Sequence, residues 1–498
     1  MDEKQIDSIV TDVVRTLQSE RRSTARPGWK RFDDEPPRAR RYAAYLQGRA
    51  PLTRGDAQHG VFASVGEAFE AARDAQQTFQ QVSLEQRHTI IEAVRRTLRE
   101  HVEEISKLAV EETGLGRAPD KVKKNLLVTN KTPGPEILRP EAYSGDHGLM
   151  ITEPAPYGVI GSITPSTNPS ETVINNGIGM VSAGNAVVFN AHPSARRVTL
   201  RTLALFNEAV VGAGGPPNLL TSCAEPTIDS AQQVMKTPGV RLLVVTGGAG
   251  VVREAFASGK KVIAAGPGNP PAVVDETADI DKAAHDIVAG ASLDNNVICP
   301  SEKETLCVAA VFDQLLDEMV KAGCYLLSAE QAAELRKHVL VQDRGPGKMG
   351  VVNRDLIGKN ASVLLAKIGV HVGDGVRLAI YRAEQDDPLV WTEQLMPIYP
   401  VAPVRDCDAG IDLAVQVEHG FGHTATMWSR NIDKLSEMAR RINTSIFVKN
   451  GPAYAGLGLG GEGYTSFTIA SPTGEGLTNA RHFSRYRSCT LVDHFRIV

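Results

Sequence analysis

Short apolar runs rich in β-branched residues recur through the middle of the chain, and stretches long enough for a crossover helix separate them. Because these runs are apolar throughout, each predicts a strand that is buried on both faces of a sheet. Buried strands that alternate with helices predict an α/β fold with an open, doubly wound parallel sheet, which binds ligands at the carboxyl ends of its strands. The runs lie at residues 159–163, 186–189, 219–220, 242–245 and 262–264, and a second α/β segment follows from about 266 to 447.

Length and composition limit the class of protein. A chain of 498 residues with 42% hydrophobic and 22% charged residues predicts a globular protein of two or three domains. The net charge of -4 gives no general attraction to nucleic acid or anionic lipid, and no apolar run is long enough to span a bilayer. The N-terminus lacks the apolar core of a secretory signal peptide, and six scattered cysteines without a C-x-x-C pair argue against zinc and disulfides. We therefore expect an intracellular protein with reduced thiols, no metal, and no nucleic-acid or membrane partner.

The first 18 residues carry one apolar stripe at helical spacing. Residues 20–56 hold many arginines and the pair Pro36-Pro37, which is typical of an exposed linker. An amphipathic helix on a polar tether is suited to docking, but the same helix could pack on its own core or at a subunit interface. The arginine-rich linker could also bind an acidic partner. The stripe consists of Ile6, Ile9, Val10, Val13, Val14 and Leu17.

Helices and a terminal strand are predicted on either side of the sheet-forming region. Apolar residues recur at helical spacing from Val65 to Phe79 and from Ile91 to Leu108. The tail ends in a β-prone run from Thr490 to Val498, which predicts an edge strand added to a neighbour.

Three short stretches carry residue types that suit a catalytic site. The glycine turn Gly247-Gly248, between a predicted strand and a predicted helix, can let the backbone approach a pyrophosphate, but a tight turn without a ligand explains it as well. Cys299, followed by a proline and flanked by polar residues, fits an accessible nucleophile or a small buried hydrophobe. Asn168, in a proline-bounded loop after a strand, can hold a carboxamide N–H still as an oxyanion donor, or it can only bond a turn.

Taken in their order along the chain, these motifs resemble the aldehyde dehydrogenase superfamily, from about residue 57 to the end. A strand-end asparagine, a Thr-Gly-Gly turn, a Gly-Pro-Gly-Asn-Pro-Pro run, a cysteine and a glutamate before Met396-Pro397 follow one another. The resemblance implies a Rossmann-type cofactor domain, an α/β catalytic domain and small oligomerisation strands. It also implies that Cys299 is the nucleophile, Asn168 the oxyanion donor and Glu393 a ligand of the nicotinamide ribose.

The departures from the hydrolytic pattern of that family indicate a branch. Hydrolytic members carry a water-activating glutamate where this chain has Ala265, and alanine cannot abstract a proton. A thiol acceptor needs less help, because thiols ionise far more readily than water. The run Gly266–Pro271, with Glu418-His419-Gly420, resembles the CoA-acylating branch, above all the propionaldehyde and acetaldehyde dehydrogenases of bacterial microcompartments. Those enzymes carry an N-terminal encapsulation helix, so the resemblance favours the docking interpretation of residues 1–18.

The resemblance implies NAD as cofactor and CoA as co-substrate. NAD-preferring hydrolytic members hold the adenine ribose with an acid, and this chain has Pro193 at that position, so NADP stays open beside NAD. A less acidic pocket would also tolerate the ribose phosphate of CoA. The residues that the resemblance assigns to cofactor binding are Thr164, Pro165, Ser166, Asn190, His192, Thr246, Gly247, Gly248, Gly266 and Glu393.

The expected organisation and function follow from the same resemblance. We expect a docking helix at 1–18, a linker at 19–56, an NAD-binding domain at 57–265 with an oligomerisation hairpin near 137–156, a catalytic domain at 266–447, and a return segment with an oligomerisation tail at 448–498. The implied protein is a dimer or tetramer in the cytoplasm, within a microcompartment, whose shell receives the helix. It oxidises a short aldehyde with NAD and CoA to acyl-CoA through a cysteine thioester. A hydrolytic dehydrogenase that releases the free acid, and a mainly structural cargo protein, are the alternatives.

Overall fold

The structure is a computed structural model, and it describes residues 59–498. The expected docking helix at 1–18 and the linker at 19–56 lie outside the described residues. Within residues 59–498, no helix has the length and apolar character to cross a bilayer.

Strands and helices alternate along the described chain. The strands are β1 (Val61–Phe62), β2 (Glu141–Gly145), β3 (Gly148–Pro156), β4 (Val159–Ile163), β5 (Ala186–Asn190), β6 (Leu220–Cys223), β7 (Val240–Thr246), β8 (Lys261–Ala265), β9 (Pro271–Val274), β10 (Glu304–Val308), β11 (Tyr325–Leu326), β12 (Leu340–Gln342), β13 (Val351–Val352), β14 (Ala379–Arg382), β15 (Ile398–Val404), β16 (Thr424–Trp428), β17 (Ile446–Lys449), β18 (Ile469–Ala470), β19 (Gly476–Leu477) and β20 (Ser484–Val492). The helices are α1 (Val65–Phe79), α2 (Leu84–Glu100), α3 (Val102–Thr113), α4 (Ala118–Lys131), α5 (Pro169–Ser182), α6 (Arg196–Gly212), α7 (Ile228–Lys236), α8 (Ala249–Ala257), α9 (Ile280–Ser292), α10 (Phe312–Lys321), α11 (Ala329–Val339), α12 (Ala361–Ala366), α13 (Cys407–Val417) and α14 (Ile432–Ile442).

The first sheet is parallel throughout, with the strand order β1-β6-β5-β4-β7-β8. All five predicted apolar runs lie in or beside its strands, and β4 and β5 are buried over their whole lengths, so the doubly wound α/β prediction is confirmed. The chain moves from β4 outward to β6 and then crosses to β7, so the order reverses between β4 and β7. Such a switch point is where open α/β sheets bind ligands.

The ladder register aligns the carboxyl ends of these strands. Ile163 pairs with Asn190 on one side and with Val245 on the other, and Thr246 pairs with Ala265. The residues that follow β4, β5, β7 and β8 therefore share one edge of the sheet.

The second sheet is also parallel, in the order β11-β14-β15-β10-β9-β16-β17. It spans residues 271–449, close to the expected catalytic segment at 266–447. The domain boundaries themselves stay predictions.

A third sheet joins the predicted hairpin to the tail. Strands β2 and β3 form an antiparallel hairpin within residues 137–156, and β20 pairs antiparallel with β3. The tail strand therefore adds to a hairpin of its own chain. It begins at Ser484, before the predicted start, and the expected continuation to Val498 is wrong. The backbone turns at Asp493 (φ 62°) and Phe495 (φ 76°), so the extended conformation ends at Val492.

The two predicted helical stretches form because capping and periodicity agree. Ser64 and Ser83 cap α1 and α2, each side-chain oxygen accepting a backbone N–H of the first turn. The predicted apolar positions, such as Val65 and Phe79, lie buried on the inner face of α1. The second stretch, from Ile91 to Leu108, is divided at His101 into α2 and α3.

Candidate active site

A cavity of about 290 Å³ opens at the carboxyl edge of the first sheet. Its walls come from the loops after β4, β5, β7 and β8, from two segments of the second sheet region, and from the segment after β17 that holds Leu457, Ser466, Phe467 and Ile469. The residues with an expected role that line it are Pro165, Ser166, Asn168, His192, Thr246, Gly247, Gly248, Gly266, Cys299 and Glu393.

Two expected cofactor residues, Thr164 and Asn190, do not line the cavity and instead hold its loops in place. The Thr164 backbone N–H donates to the Asn190 carbonyl oxygen at 3.1 Å. The Asn190 carboxamide is also engaged, because its Nδ2 donates to the Thr227 carbonyl at 3.3 Å and its Oδ1 accepts from Ser230 Oγ at 2.5 Å. The Asn190 side chain thus connects the end of β5 to the start of α7.

The turn between β7 and α8 fits a phosphate-bearing cofactor. Gly248 is the N-cap of α8 and supplies no side-chain cap, so the first amides of the helix have no side-chain acceptor from it. A Cβ at Gly248 would meet nothing within 4 Å, whereas a Cβ at Gly247 would lie 2.8 Å from Val251 Cγ1. Open space at a helix N-terminus, where the backbone favours anions, is the arrangement that a pyrophosphate requires.

Cys299 follows a loop of unusual backbone conformation. Asp294, Asn295 and Asn296 have φ values of 51°, 55° and 67°, three consecutive residues in the left-handed region. Asparagine and aspartate tolerate this region because their short polar side chains bond locally. Here Asn296 Nδ2 donates to the Ala291 carbonyl at 2.8 Å and to the Glu302 carbonyl at 3.0 Å. The loop is thus fixed by its own side chains, and it delivers a half-buried Cys299 to the cavity.

The surroundings of Cys299 oppose ionisation of its thiol. Burial raises the pKa of the Cys299 thiol to about 12, and the Glu393 carboxylate adds to the rise. The ammonium groups of Lys303 and Lys124 act in the opposite direction. The thiol is therefore protonated at neutral pH in the protein alone, so its ionisation depends on how these charges are balanced.

Glu393 and Lys303 are the charged residues that act on the Cys299 thiol from opposite directions. Burial raises the pKa of Glu393 to about 7, against the effect of Lys303 and of the Gly268 N–H, which donates to Glu393 Oε1 at 3.4 Å. Lys303 is fully buried, and burial lowers its pKa. Its Nζ donates to the Ile298 carbonyl at 3.2 Å, directly before Cys299.

Sequence reasoning missed Lys303 because its neighbours indicate a surface. The polar run Ser301–Glu304 suggested an accessible loop, yet the structure buries all four residues. The available signal was position: the run leads directly into a buried strand, β10, which begins at Glu304.

A second buried charge cluster, also missed, lies behind Asn168. Lys124 Nζ donates to Asp294 Oδ2 at 2.6 Å and to Asn168 Oδ1 at 2.5 Å, and Lys121 Nζ donates to Asp294 Oδ2 at 3.0 Å. Glu171 lies 3.4 Å from Lys124 Nζ. Asn168 caps no helix backbone with its side chain, although it precedes α5. Its Nδ2 donates to the Thr167 hydroxyl at 3.3 Å, which is its one partner among residues 59–498.

The Glu418-His419-Gly420 motif and His423 support the second sheet's side of the site. Glu418 Oε1 accepts the His423 N–H at 2.8 Å, and burial lowers the pKa of His423 to about 3, so its ring is neutral. His423 packs against Gly268, where a Cβ would lie 2.9 Å from its ring. The other histidine, His419, bonds the Trp391 carbonyl at 2.8 Å and stacks obliquely on Trp391.

Metal chemistry has no visible ligand set in the part of the chain that the structure describes. No group of three or more His, Cys, Asp or Glu side chains among residues 59–498 is arranged to hold an ion.

Known proteins are similar to this chain in sequence and in structure over most of its length. The profile of the Aldehyde dehydrogenase family matches residues 53–473. The acetaldehyde dehydrogenase (acetylating) EutE of Salmonella typhimurium is 50% identical over 442 residues, which are 88% of this chain and 94% of that protein. The propionaldehyde dehydrogenase of the Clostridium phytofermentans fucose utilisation bacterial microcompartment superposes with a TM-score of 0.85 at 45% identity, over 88% of this chain and all of the other. The Rhodopseudomonas palustris propionaldehyde dehydrogenase, solved with bound CoA and an acylated cysteine, superposes with a TM-score of 0.85 at 45% identity. The match covers 87% of this chain and 98% of the other.

Proposed function

The chain belongs to the aldehyde dehydrogenase family, and on that premise we propose that it oxidises a short aldehyde with NAD and CoA to an acyl-CoA and NADH. The observation that carries the proposal is the composition of one cavity, in which Cys299, Asn168 and Glu393 meet beside the glycine turn. At the end of β8, where hydrolytic members have their base, stands the buried Ala265. The substrate class is acetaldehyde or propionaldehyde, as in the acylating relatives.

The first stage forms a bond between Cys299 and the aldehyde. The Cys299 thiol releases its proton to solvent, the resulting thiolate attacks the carbonyl carbon, and the carbonyl oxygen becomes an oxyanion. We assign the stabilisation of that oxyanion to Asn168 Nδ2 and the Cys299 backbone N–H, because a charge that develops in a dry site is stabilised most by donors already in place. The Gly247-Gly248 turn and Glu393 would hold NAD(P), which would supply the acceptor for the hydride of the former aldehyde carbon, so that this carbon becomes the carbonyl carbon of a thioester with Cys299.

The second stage transfers the acyl group to CoA. The CoA thiolate attacks the thioester carbon, the bond to Cys299 Sγ breaks, and acyl-CoA leaves with the Cys299 thiolate restored. Ala265 offers no base to activate water, which disfavours hydrolysis of the thioester. A thiol acceptor loses its proton more readily than water does, so this half of the reaction needs no carboxylate at position 265.

Ionisation of Cys299 requires that positive charge prevails near it. Lys303 and Lys124 favour the thiolate, whereas burial and the Glu393 carboxylate oppose it. Glu393 itself titrates near pH 7, so a change in its protonation alters the reactivity of the thiol. In this proposal Glu393 also holds the nicotinamide ribose when the cofactor is bound.

The cofactor residues support NAD without excluding NADP. The Gly247-Gly248 turn would hold the pyrophosphate, and His192 and Pro193 would border the adenine ribose. Pro193 carries no charge to repel a ribose phosphate. NAD is our assignment for the physiological cofactor, and the same neutral border suits the ribose phosphate of CoA.

We infer the location and the assembly of the protein from the proteins to which it is similar. We assign the protein to a microcompartment lumen, with residues 1–18 as the segment that docks on a shell protein. We further assign a dimer or tetramer built through the three-stranded sheet. The support is its exposed apolar side chains, which are Tyr143, Ile151, Tyr486, Leu491 and Val492.

The test follows NADH formation from propionaldehyde and NAD with and without CoA, and identifies the product by mass. We expect turnover that requires CoA and yields propionyl-CoA. Cys299→Ser should abolish it, whereas Cys489→Ser, at an exposed cysteine of β20, should not. Steady formation of propionate without CoA would place the protein in the hydrolytic branch. No turnover with or without CoA would favour the alternative of a mainly structural cargo protein.

A further inference from the structure

Lys124 is a charged residue in the interior of the protein. It lies on α4, in neither loop that carries the expected catalytic residues, and its side chain is completely buried. Burying an ammonium group is costly unless anions and hydrogen-bond acceptors surround it. A lysine in this position is therefore tied to specific partners.

Those partners belong to both arms of the active site. On the nucleophile loop, Lys124 Nζ bonds Asp294 Oδ2 at 2.6 Å and lies 3.5 Å from the Val297 carbonyl oxygen, two residues before Cys299. On the loop after β4 it bonds Asn168 Oδ1 at 2.5 Å. One ammonium group thus connects the nucleophile loop with the expected oxyanion donor.

The contact with Asn168 decides which end of that carboxamide faces the cavity. An ammonium group has three donors and no acceptor, so it can bind only the carbonyl oxygen of the amide. A flipped carboxamide would direct its N–H₂ group at Lys124 and leave a buried donor facing a cation. With Oδ1 held by Lys124, the amide nitrogen is the end that remains for the cavity, where it donates to the Thr167 hydroxyl at 3.3 Å and has a second N–H, and Asn168 and Cys299 line the same cavity.

We propose that Lys124 is a positioning residue for aldehyde oxidation: it fixes the Asn168 carboxamide with its N–H₂ group available to the oxyanion and holds the nucleophile loop at the same time. The inference rests on the proposed function, since the oxyanion belongs to that reaction. Asp294 and Glu171 keep the lysine charged: burial acts to lower the pKa of Lys124, but the two carboxylates prevail and raise it.

Lys121 shows what a structural role alone would look like. It is equally buried on the same helix, it bonds the same Asp294 oxygen at 3.0 Å, and it bonds the Thr167 carbonyl at 3.2 Å. It makes no recorded contact with the Asn168 carboxamide. Comparing Lys121 with Lys124 therefore separates support of the loops from orientation of the donor. Lys123, which is exposed on the other face of α4, serves as the control whose replacement should have no effect.

The experiment measures CoA-dependent NADH formation by Lys124→Met, Lys121→Met and Lys123→Met, each alone and combined with Asn168→Ala. We expect Lys124→Met to lower kcat by about 10²-fold, as the loss of an oxyanion donor does, while the KM for NAD stays unchanged. In the Asn168→Ala background the same change should cost clearly less than in wild type, because the donor it orients is already gone and only the hold on the nucleophile loop is lost. Lys121→Met should keep most of its kcat, and Lys123→Met all of it. Full additivity of Lys124→Met and Asn168→Ala would overturn the proposal.

A second comparison needs no turnover and covers a Lys124→Met variant that fails to fold. Asn168→Asp places a carboxylate against the Lys124 ammonium, whereas Asn168→Leu places an apolar group of similar size there. If Lys124 holds position 168, the Asp variant should melt at a higher temperature than the Leu variant. A lower Tm for Asp would show that the contact is not made. Wild-type protein that makes no acyl-CoA would refute the proposed function instead, and this Tm comparison would still decide the contact.

Discussion

At the scale of single residues, the site is governed by charges that the protein buries. Cys299 lies between an acid that opposes its ionisation, Glu393, and two lysines that favour it. Because both lysines are fully buried, their charges act more strongly than they would at a surface. The reactivity of the thiol is thus a property of its neighbours, and it can be changed without altering the thiol.

Replacing Glu393 with glutamine should make Cys299 more reactive above pH 7. Burial raises the pKa of Glu393 to about 7, so the group is mostly neutral below that pH and mostly charged above it. Its charge raises the pKa of the thiol. The rate of iodoacetamide alkylation should therefore be similar for wild type and Glu393→Gln below pH 6 and several-fold higher for the variant above pH 7.

The control for this experiment is Glu384→Gln, which removes an exposed carboxylate from the same stretch of chain. It should leave the alkylation profile unchanged. A Glu393→Gln profile identical to wild type at all pH values would show that Glu393 does not act on the thiol.

Ala265→Glu should give the protein some ability to release free acid without CoA. The substitution restores the carboxylate of the hydrolytic pattern at the end of β8. Because position 265 is buried, the new acid should also lower stability, by about 2 kcal/mol. Mass identification of propionate formed without CoA is the measurement. Ala265→Gln has the same size and no base, so equal propionate from both variants would contradict the explanation.

At the scale of secondary structure, the strands could be predicted and the buried charges could not. The apolar runs of β4, β5 and β7 are continuous, and a continuous apolar run has few places to lie except inside a parallel sheet. The segment around Lys121 and Lys124 has the opposite character. Its lysines suggest a solvated helix face, and partners far away in sequence, among them Asp294 and Asn168, make their burial possible. Single-sequence patterns contain local periodicity, but they do not contain pairings across 170 residues.

The residues that cap the start of α7 also contact Asn190, which is expected to bind the cofactor. Thr227 and Ser230 form a capping box, and Ser230 Oγ also donates to Asn190 Oδ1 at 2.5 Å. Ser230→Ala should therefore lower stability by about 1–2 kcal/mol, because it leaves the buried Asn190 oxygen without this donor and removes half of the cap. The KM for NAD should rise, since Asn190 ends β5 beside the pocket.

Ser328→Ala is the matched variant for that prediction. Ser328 and Gln331 form a second capping box, at the exposed start of α11 and away from the cavity lining. Thermal unfolding should show a smaller loss of stability for Ser328→Ala, and the KM for NAD should not change. An unchanged KM for Ser230→Ala would limit the role of this cap to stability.

At the scale of the whole molecule, the site exists only where distant segments meet. The cavity takes its walls from separate parts of the chain, among them residues 165–168, 246–248, 297–300 and 466–467. Periodicity predicted the sheets to which the first two belong and the edge at which ligands bind. That Cys299 and Glu393 reach the same edge followed only from the order of motifs in a known family, because no pattern within a short window contains this convergence.

Removal of residues 1–18 should separate docking from catalysis. The cavity-lining residues lie between 165 and 469, and the family match begins at residue 53, so the deletion removes no part of the site. We expect kcat and KM to stay unchanged, while cofractionation with microcompartment shells, co-expressed with the protein, is lost. Val10→Glu places a charge on the apolar stripe and should have the effect of the deletion, whereas Thr11→Glu, beside the stripe, should not. If both point variants left cofractionation intact, the stripe would not be the docking surface. If the deletion abolished activity, the segment would instead belong to the folded enzyme, as an extra helix packed on its own core.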